Sequence, residues 1–135
     1  MIRKGILRNN IRFIAGAMET GESVKFGTIE INLINAAELR MYNKQHLQHD
    51  YETDILTFDL SDGKQAEGQI LISWENVMEN SVRFRTDFEN ELHRVIIHGL
   101  LHLSGFNDLD ENQKKLMRKK ENEYLKHLDN AGKGN

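Results

Sequence analysis

The sequence contains no cysteine and no proline. Without cysteine there can be no disulfide partner, no thiolate nucleophile and no sulfur ligand for a metal, which fits a reducing cytosol. Without proline, the turns fall to Gly, Asn and Asp. A dominant charge is missing too. The formal net charge is −3, so no global field draws the chain to nucleic acid or an anionic membrane, and any polyanion must be met by a local basic patch. Long apolar runs are also absent. Val95 to Phe106, the most apolar segment, is interrupted by His98 and His102 and is too short to span a bilayer. The basic stretch from Met1 to Arg8 lacks the apolar core of a secretory signal. There is no repeat, no low-complexity tract and no interdomain linker. With 135 residues, 39% of them hydrophobic, the expectation is one domain over 1–135 with a single core, cytoplasmic and without a membrane partner.

What is present is a succession of short elements. Leu7, Ile11, Ile14 and Met18 recur at helical spacing, predicting a helix from Leu7 to Glu19 that Gly21 stops. Val24 to Ile34 alternates as a half-buried strand does. Asn35 is a good N-cap for a helix over Ala36 to His46. Ile55 to Leu60 and Gln69 to Ser73 are β-prone, with Ser61-Asp62-Gly63-Lys64 as the turn between them. Trp74 to Arg83 is weakly helical. Thr86-Asp87-Phe88-Glu89 has the spacing of a capping box ahead of an apolar helix that runs to Leu103 and stops at Ser104-Gly105. A last helix starts near Asp110 and turns Leu116, Met117, Tyr124 and Leu128 inward. Trp74 and Phe106 read as core residues. The order predicts an α+β fold, a small mixed sheet covered by helices.

The chemistry lies at the end of the apolar helix. His98 and His102, at i and i+4, share a face, separated by about 6 Å of rise and roughly 40° of rotation, so two imidazoles can converge on one cation. Gly105 lets the chain fold back, and Asp108, three residues on, can add a carboxylate. The pattern H-G-x-x-H-x-x-G-x-x-D has the spacing of the metzincin signature H-E-x-x-H-x-x-G-x-x-H. Burying two histidines on one otherwise apolar stripe without a common partner is costly. His98, His102 and Asp108 are therefore the expected metal ligands. Three protein ligands leave a coordination position open, as catalytic sites do. In the protease signature, the Glu after the first His is the general base. Here that residue is Gly99, and Glu91 and Glu89 lie two or more turns upstream. No general base is assigned, and the catalytic group is left as water activated by the metal.

His98-Gly99-Leu100-Leu101-His102-Leu103-Ser104-Gly105-Phe106 resembles the signature of the YbeY family of bacterial metal-dependent endoribonucleases. Glu91-Leu92 and Val95-Ile96-Ile97 resemble the helix leading into that motif. Thr53-Asp54-Ile55-Leu56-Thr57-Phe58 and Gly68-Gln69-Ile70-Leu71-Ile72-Ser73 resemble two of its strands. The resemblance implies a single-strand-type endoribonuclease of ribosomal RNA maturation and ribosome quality control. It also implies one bound Zn2+, with other divalent metals left open, and RNA or ribosomal subunits as partners. The chain departs from the family at two places. Asn107-Asp108 stands where most members carry Asp-His, making the third ligand a carboxylate, and Leu47 stands where the family usually keeps an arginine facing the site.

Composition does not identify RNA. Lys114, Lys115, Arg118, Lys119 and Lys120 interleave with Glu111, Glu121 and Glu123, as on a solvated helix face. Arg94 stands one turn before His98, where it can face the site or pair with a neighbour such as Glu91. His46, His49 and Asp50 read as polar loop residues. Two other functions remain open to the sequence: a small zinc metallopeptidase, which Gly99 disfavours, and a ribosome-associated binding module with a structural metal.

Overall fold

Three consecutive aliphatic residues, Ile70, Leu71 and Ile72, are all buried, which a strand covered on one face alone does not allow. They lie in β3 (Ala66–Ser73), the middle strand of a three-stranded sheet of order β1–β3–β2. β1 (Phe26–Ile34) runs parallel to β3, and β2 (Ile55–Asp59) runs antiparallel to it. Ile70 and Ile72 belong to the main core, whereas Leu71 packs the other way with Leu56 and with Leu39 of α2 (Ala36–Leu47). Both faces of the mixed sheet are therefore covered. The structure is a computed structural model and describes residues 4–47 and 53–133.

The other helices are α1 (Lys4–Glu22), α3 (Trp74–Arg83), α4 (Phe88–Leu103) and α5 (Glu111–Lys133). α4 is apolar nearly all round and sits at the centre, against the sheet and against α1, α3 and α5. Its Leu92, Ile96, Ile97, Leu100 and Leu101 are almost wholly buried, each contributing about 1.5–3 kcal/mol of hydrophobic stabilisation. This core holds α4 rigidly enough to carry a site at its end. None of the helices among the described residues is long and apolar enough to cross a membrane.

The local signals mostly hold, with instructive exceptions. Asn35 caps α2, its Oδ1 accepting from the Glu38 amide at 2.8 Å. The β2–β3 turn uses Gly63 at φ +94°. β3 starts at Ala66 rather than Gln69 because pairing with Phe26 of β1 extends it. The cap of α4 is Asp87, not Thr86. The Asp87 carboxylate accepts from the Asn90 amide at 2.7 Å, while the Thr86 hydroxyl accepts from the Asn90 side chain.

Gly21 does not stop α1, which continues through Glu22 and turns at Ser23. A Cβ on Gly21 would lie 2.5 Å from the Tyr124 hydroxyl. That hydroxyl donates to Glu22, which Lys120 also pairs at 3.0 Å. The glycine is thus a packing requirement between α1 and α5. On α5, Met117 and Tyr124 face inward and Leu128 packs at the core's edge, but Leu116 points outward, with Leu125 buried instead. Trp74 is also exposed, on an outer stripe of α3 with Met78 and Val82, whereas Phe106 packs against the core.

Candidate metal centre

α4 ends in a Schellman motif. Gly105 takes φ +103°, its amide donates to His102 O at 3.1 Å, and the Phe106 amide donates to Leu101 O at 3.0 Å. Only glycine adopts such a conformation freely. This reversal lays the Phe106 carbonyl over the helix end, where it accepts from His102 Nδ1 at 3.0 Å. A carbonyl only accepts, so Nδ1 of His102 carries the proton and Nε2 presents a lone pair. One turn earlier, His98 Nδ1 donates to the Glu121 carboxylate at 2.7 Å, which directs the His98 Nε2 lone pair the same way.

The two Nε2 atoms face each other at 3.0 Å. Two lone pairs at that distance repel unless a positive charge stands between them, either a proton or a metal cation. Asp108 closes the triangle, its carboxylate oxygens 3.4 Å from His98 Nε2 and 3.6 Å from His102 Nε2. Tetrahedral ligands at about 2.0–2.1 Å from a zinc ion stand about 3.3 Å apart, close to all three separations. The donor set thus fits a metal ion, and the group could hold one. Each imidazole has an outer partner fixing its tautomer, as metal-ligating histidines do.

The electrostatics follow from this arrangement. Burial pushes the His98 imidazolium down, but the hydrogen bond and charge of Glu121, with Asp108, outweigh it and raise its pKa. For His102, burial and the neighbouring His98 charge prevail, and the pKa is lowered. Burial pushes Glu121 up, yet His98 and Arg94 more than compensate and keep it an anion.

Gly99 is buried against the sheet. A Cβ there would lie 2.9 Å from Ile70 Cδ1 and 3.1 Å from Ile55 Cδ1. The position that holds the general base in the H-E-x-x-H enzymes therefore faces the core here, not the His98–His102–Asp108 group.

Two clefts meet at the His98–Asp108 pair. One, of about 560 Å³, lies between α4 and α5 and is bordered by Glu91, Arg94 and Arg118. The other, of about 610 Å³, runs past β2 and is bordered by Asn43, Thr57 and His102. Asp54 and Ile55 border both.

Sequence reasoning missed Glu121 and Asp54. Glu121 did leave a signal, since it sits within the Met117, Tyr124 and Leu128 stripe of α5, where a carboxylate demands a partner. Arg94 is that second partner. It donates to Glu121 at 3.0 Å and to Asn122 at 2.8 Å, rather than pairing with Glu91. The side chains of His46 and Leu47, and the residues His49 and Asp50, lie outside the described part of the chain.

Comparison with known proteins bears on this arrangement. A family model described as Endoribonuclease YbeY matches residues 3–129. A Bacteroides fragilis protein named Endoribonuclease YbeY is 41% identical over 118 residues, covering 87% of this chain and 84% of that one. A Parabacteroides distasonis protein of the same name is 43% identical over 101 residues, covering 75% and 71%. The solution structure of TM1509 from Thermotoga maritima superposes with a TM-score of 0.68 at 27% identity, over 99% of this chain and 89% of that one. By the family match and by these relatives, the chain belongs to the YbeY family.

Proposed function

We propose that this protein is a zinc-dependent endoribonuclease acting on ribosomal RNA during its maturation in the cytoplasm, the whole chain serving as one hydrolase domain. Endoribonuclease activity, hydrolysis of internal phosphodiester bonds, is the activity named for the family. The observation that carries the metal-dependent reading is the convergence of His98 Nε2, His102 Nε2 and an Asp108 oxygen within 4.8 Å of one another, at the spacing of a coordination sphere. Two imidazoles and a carboxylate suit zinc, and the carboxylate also admits harder divalent cations. Bound there, the ion supplies Lewis acidity toward the phosphodiester.

The chain's own residues set up that chemistry. His98, His102 and Asp108 hold the ion. Glu121 and the Phe106 carbonyl keep both Nε2 lone pairs on it. The meeting of two clefts at this point suits an endonuclease, because a strand cut internally must leave the reacting phosphate on both sides. Arg94 is committed to Glu121 and so acts as a positioning residue rather than as a phosphate grip.

The test pairs metal content with cleavage. His98→Ala and His102→Ala, purified beside the unsubstituted protein, are assayed for bound zinc by elemental analysis and for cutting of ribosomal RNA. Both variants are expected to lose zinc and cleavage together, and the unsubstituted protein to leave a casein panel intact. Full RNA cleavage without metal would reject the reading.

A further inference from the structure

Among the described residues β2 pairs only with β3, so it is an edge strand, and an edge leaves a row of peptide groups outside the ladder. Two hydrogen bonds at its ends show which groups those are. The Ser73 amide donates to Asp54 O at 3.0 Å, and the Leu60 amide donates to Glu67 O at 2.9 Å. Asp54 and Leu60 therefore turn their peptide groups toward β3. Alternation along an antiparallel strand turns those of Leu56 and Phe58 the same way, and those of Ile55, Thr57 and Asp59 outward. The Ile55 carbonyl accepts from the Thr53 hydroxyl at 3.1 Å, as an outward carbonyl can. The Thr57 N–H and C=O have no such partner among the described residues.

The side chains of β2 alternate too. Leu56 and Phe58 pack with Leu39 of α2, whereas Ile55 faces α4, its Cδ1 3.1 Å from where a Cβ on Gly99 would lie. Four residues on, Asp59 pairs with Gly68, where a Cβ would lie 2.9 Å from Leu103 Cδ2. β2 thus runs alongside the end of α4, and Thr57, midway, stands beside the turn that carries His102. Thr57 is half-buried, and its hydroxyl also meets no partner among the described residues. With His98, His102 and Asp108 it borders the cleft of about 610 Å³.

One residue therefore offers the cleft a hydroxyl, an amide donor and a carbonyl acceptor next to the metal group. Asp54 and Asp59 border the same cleft, and their carboxylates oppose a phosphate there while accepting from a hydroxyl. A ligand group that both donates and accepts, and carries no charge, fits this wall. In RNA that group is the 2′-hydroxyl, which DNA lacks.

We infer that Thr57 is a specificity-determining residue, its hydroxyl and outward peptide group exchanging hydrogen bonds with a ribose 2′-hydroxyl beside the scissile phosphate. The inference rests on the RNA-cleaving reading and adds to it the residue that tells RNA from DNA.

The test uses Thr57→Val, which replaces the hydroxyl by a methyl of the same shape, and Thr57→Ser, which keeps the hydroxyl. The zinc-loaded full chain is titrated into a fluorescein-labelled single-stranded oligoribonucleotide and into the deoxy strand of the same sequence. Anisotropy is read in the cold before cutting proceeds. The unsubstituted protein should prefer the ribo strand. Thr57→Val should weaken ribo binding about threefold to tenfold, the worth of a hydrogen bond between neutral groups, and leave deoxy binding unchanged. Thr57→Ser should retain the preference. Zinc content and melting temperature should match the unsubstituted protein, which separates lost recognition from a damaged site. If Thr57→Val keeps the full preference for the ribo strand while cleavage persists, the assignment of Thr57 is overturned and the endoribonuclease reading stands. If the unsubstituted protein neither binds nor cuts RNA, both fall.

Discussion

Glu121 on α5 and His98 on α4 are joined by a 2.7 Å hydrogen bond, and the same carboxylate accepts from Arg94 at 3.0 Å. Glu121 is only 5% exposed, so its charge is stable only because two donors meet it. The bond fixes which nitrogen of His98 faces Asp108. A group on one helix thereby sets the tautomer of a proposed metal ligand on another.

Glu121→Gln keeps the size and an acceptor oxygen but removes the charge that orients His98. Zinc affinity, measured by competition with a chromophoric chelator, should fall about 10–100-fold, as with other outer partners of ligating histidines. The melting temperature in excess chelator separates this loss from any damage to the fold. Unchanged affinity would show that His98 needs no carboxylate behind it.

Asp108→His exchanges the anionic oxygen of the proposed third ligand for a neutral nitrogen. Asp108 is 37% exposed in its side chain, so the larger ring has room. The nitrogen ligand favours zinc over harder cations. The ratio of zinc to manganese affinity should rise by about tenfold, equivalent to about 1.4 kcal/mol. A ratio that stays constant would mean that residue 108 does not touch the ion.

The clustering of His98, His102 and Asp108 is legible in the sequence because it is local. The i, i+4 pair and a helix-stopping glycine bring His98, His102 and Asp108 together through backbone geometry alone. The same holds for the hairpin at Gly63 and the cap at Asn35. Glu121 and Asp54 reach the site from other elements, and their approach depends on how α5 and the segment leading into β2 pack on α4. Gly21 misleads for the same reason. Read locally it is a helix stop, but its actual constraint is the Tyr124 hydroxyl brought by α5. Thr86 and Asp87 are both good caps, and adjacent candidates are not separable without the helix start in view.

Gly99→Glu restores the residue type of the H-E-x-x-H peptidases and should yield no peptidase. The new side chain would start 2.9 Å from Ile70 Cδ1 and carry a carboxylate into an apolar interface. Overpacking costs about 1–3 kcal/mol, and an unpaired buried charge costs more. Destabilisation of about 3 kcal/mol or more is expected, read as a lower urea midpoint or as insolubility. A stable, zinc-bound variant that cleaves casein would show that position 99 faces the site after all.

His93 gives the fold an acid sensitivity separate from the metal group. It is 5% exposed on α4, and its Nε2 accepts from the Asn10 side chain of α1 at 3.3 Å. Burial lowers its pKa below the usual 6.5, against the smaller opposing charges of Glu89 in α4's first turn, Asp87 at its N-cap and Asp129 on α5. The folded protein therefore binds this proton less readily than the unfolded chain does, and stability rises with pH across that interval. The contribution is fully present above about pH 6.5 and is lost as pH falls through the folded value. His93→Gln retains an acceptor for Asn10 and has no proton to take up. Melting temperatures measured in chelator at about pH 7.5 and pH 5.5, which bracket the unperturbed His value, should fall further on acidification for the unsubstituted protein than for His93→Gln. Equal falls would show that His93 takes up its proton as readily in the folded protein as in the unfolded chain, and would leave the acid response to other groups.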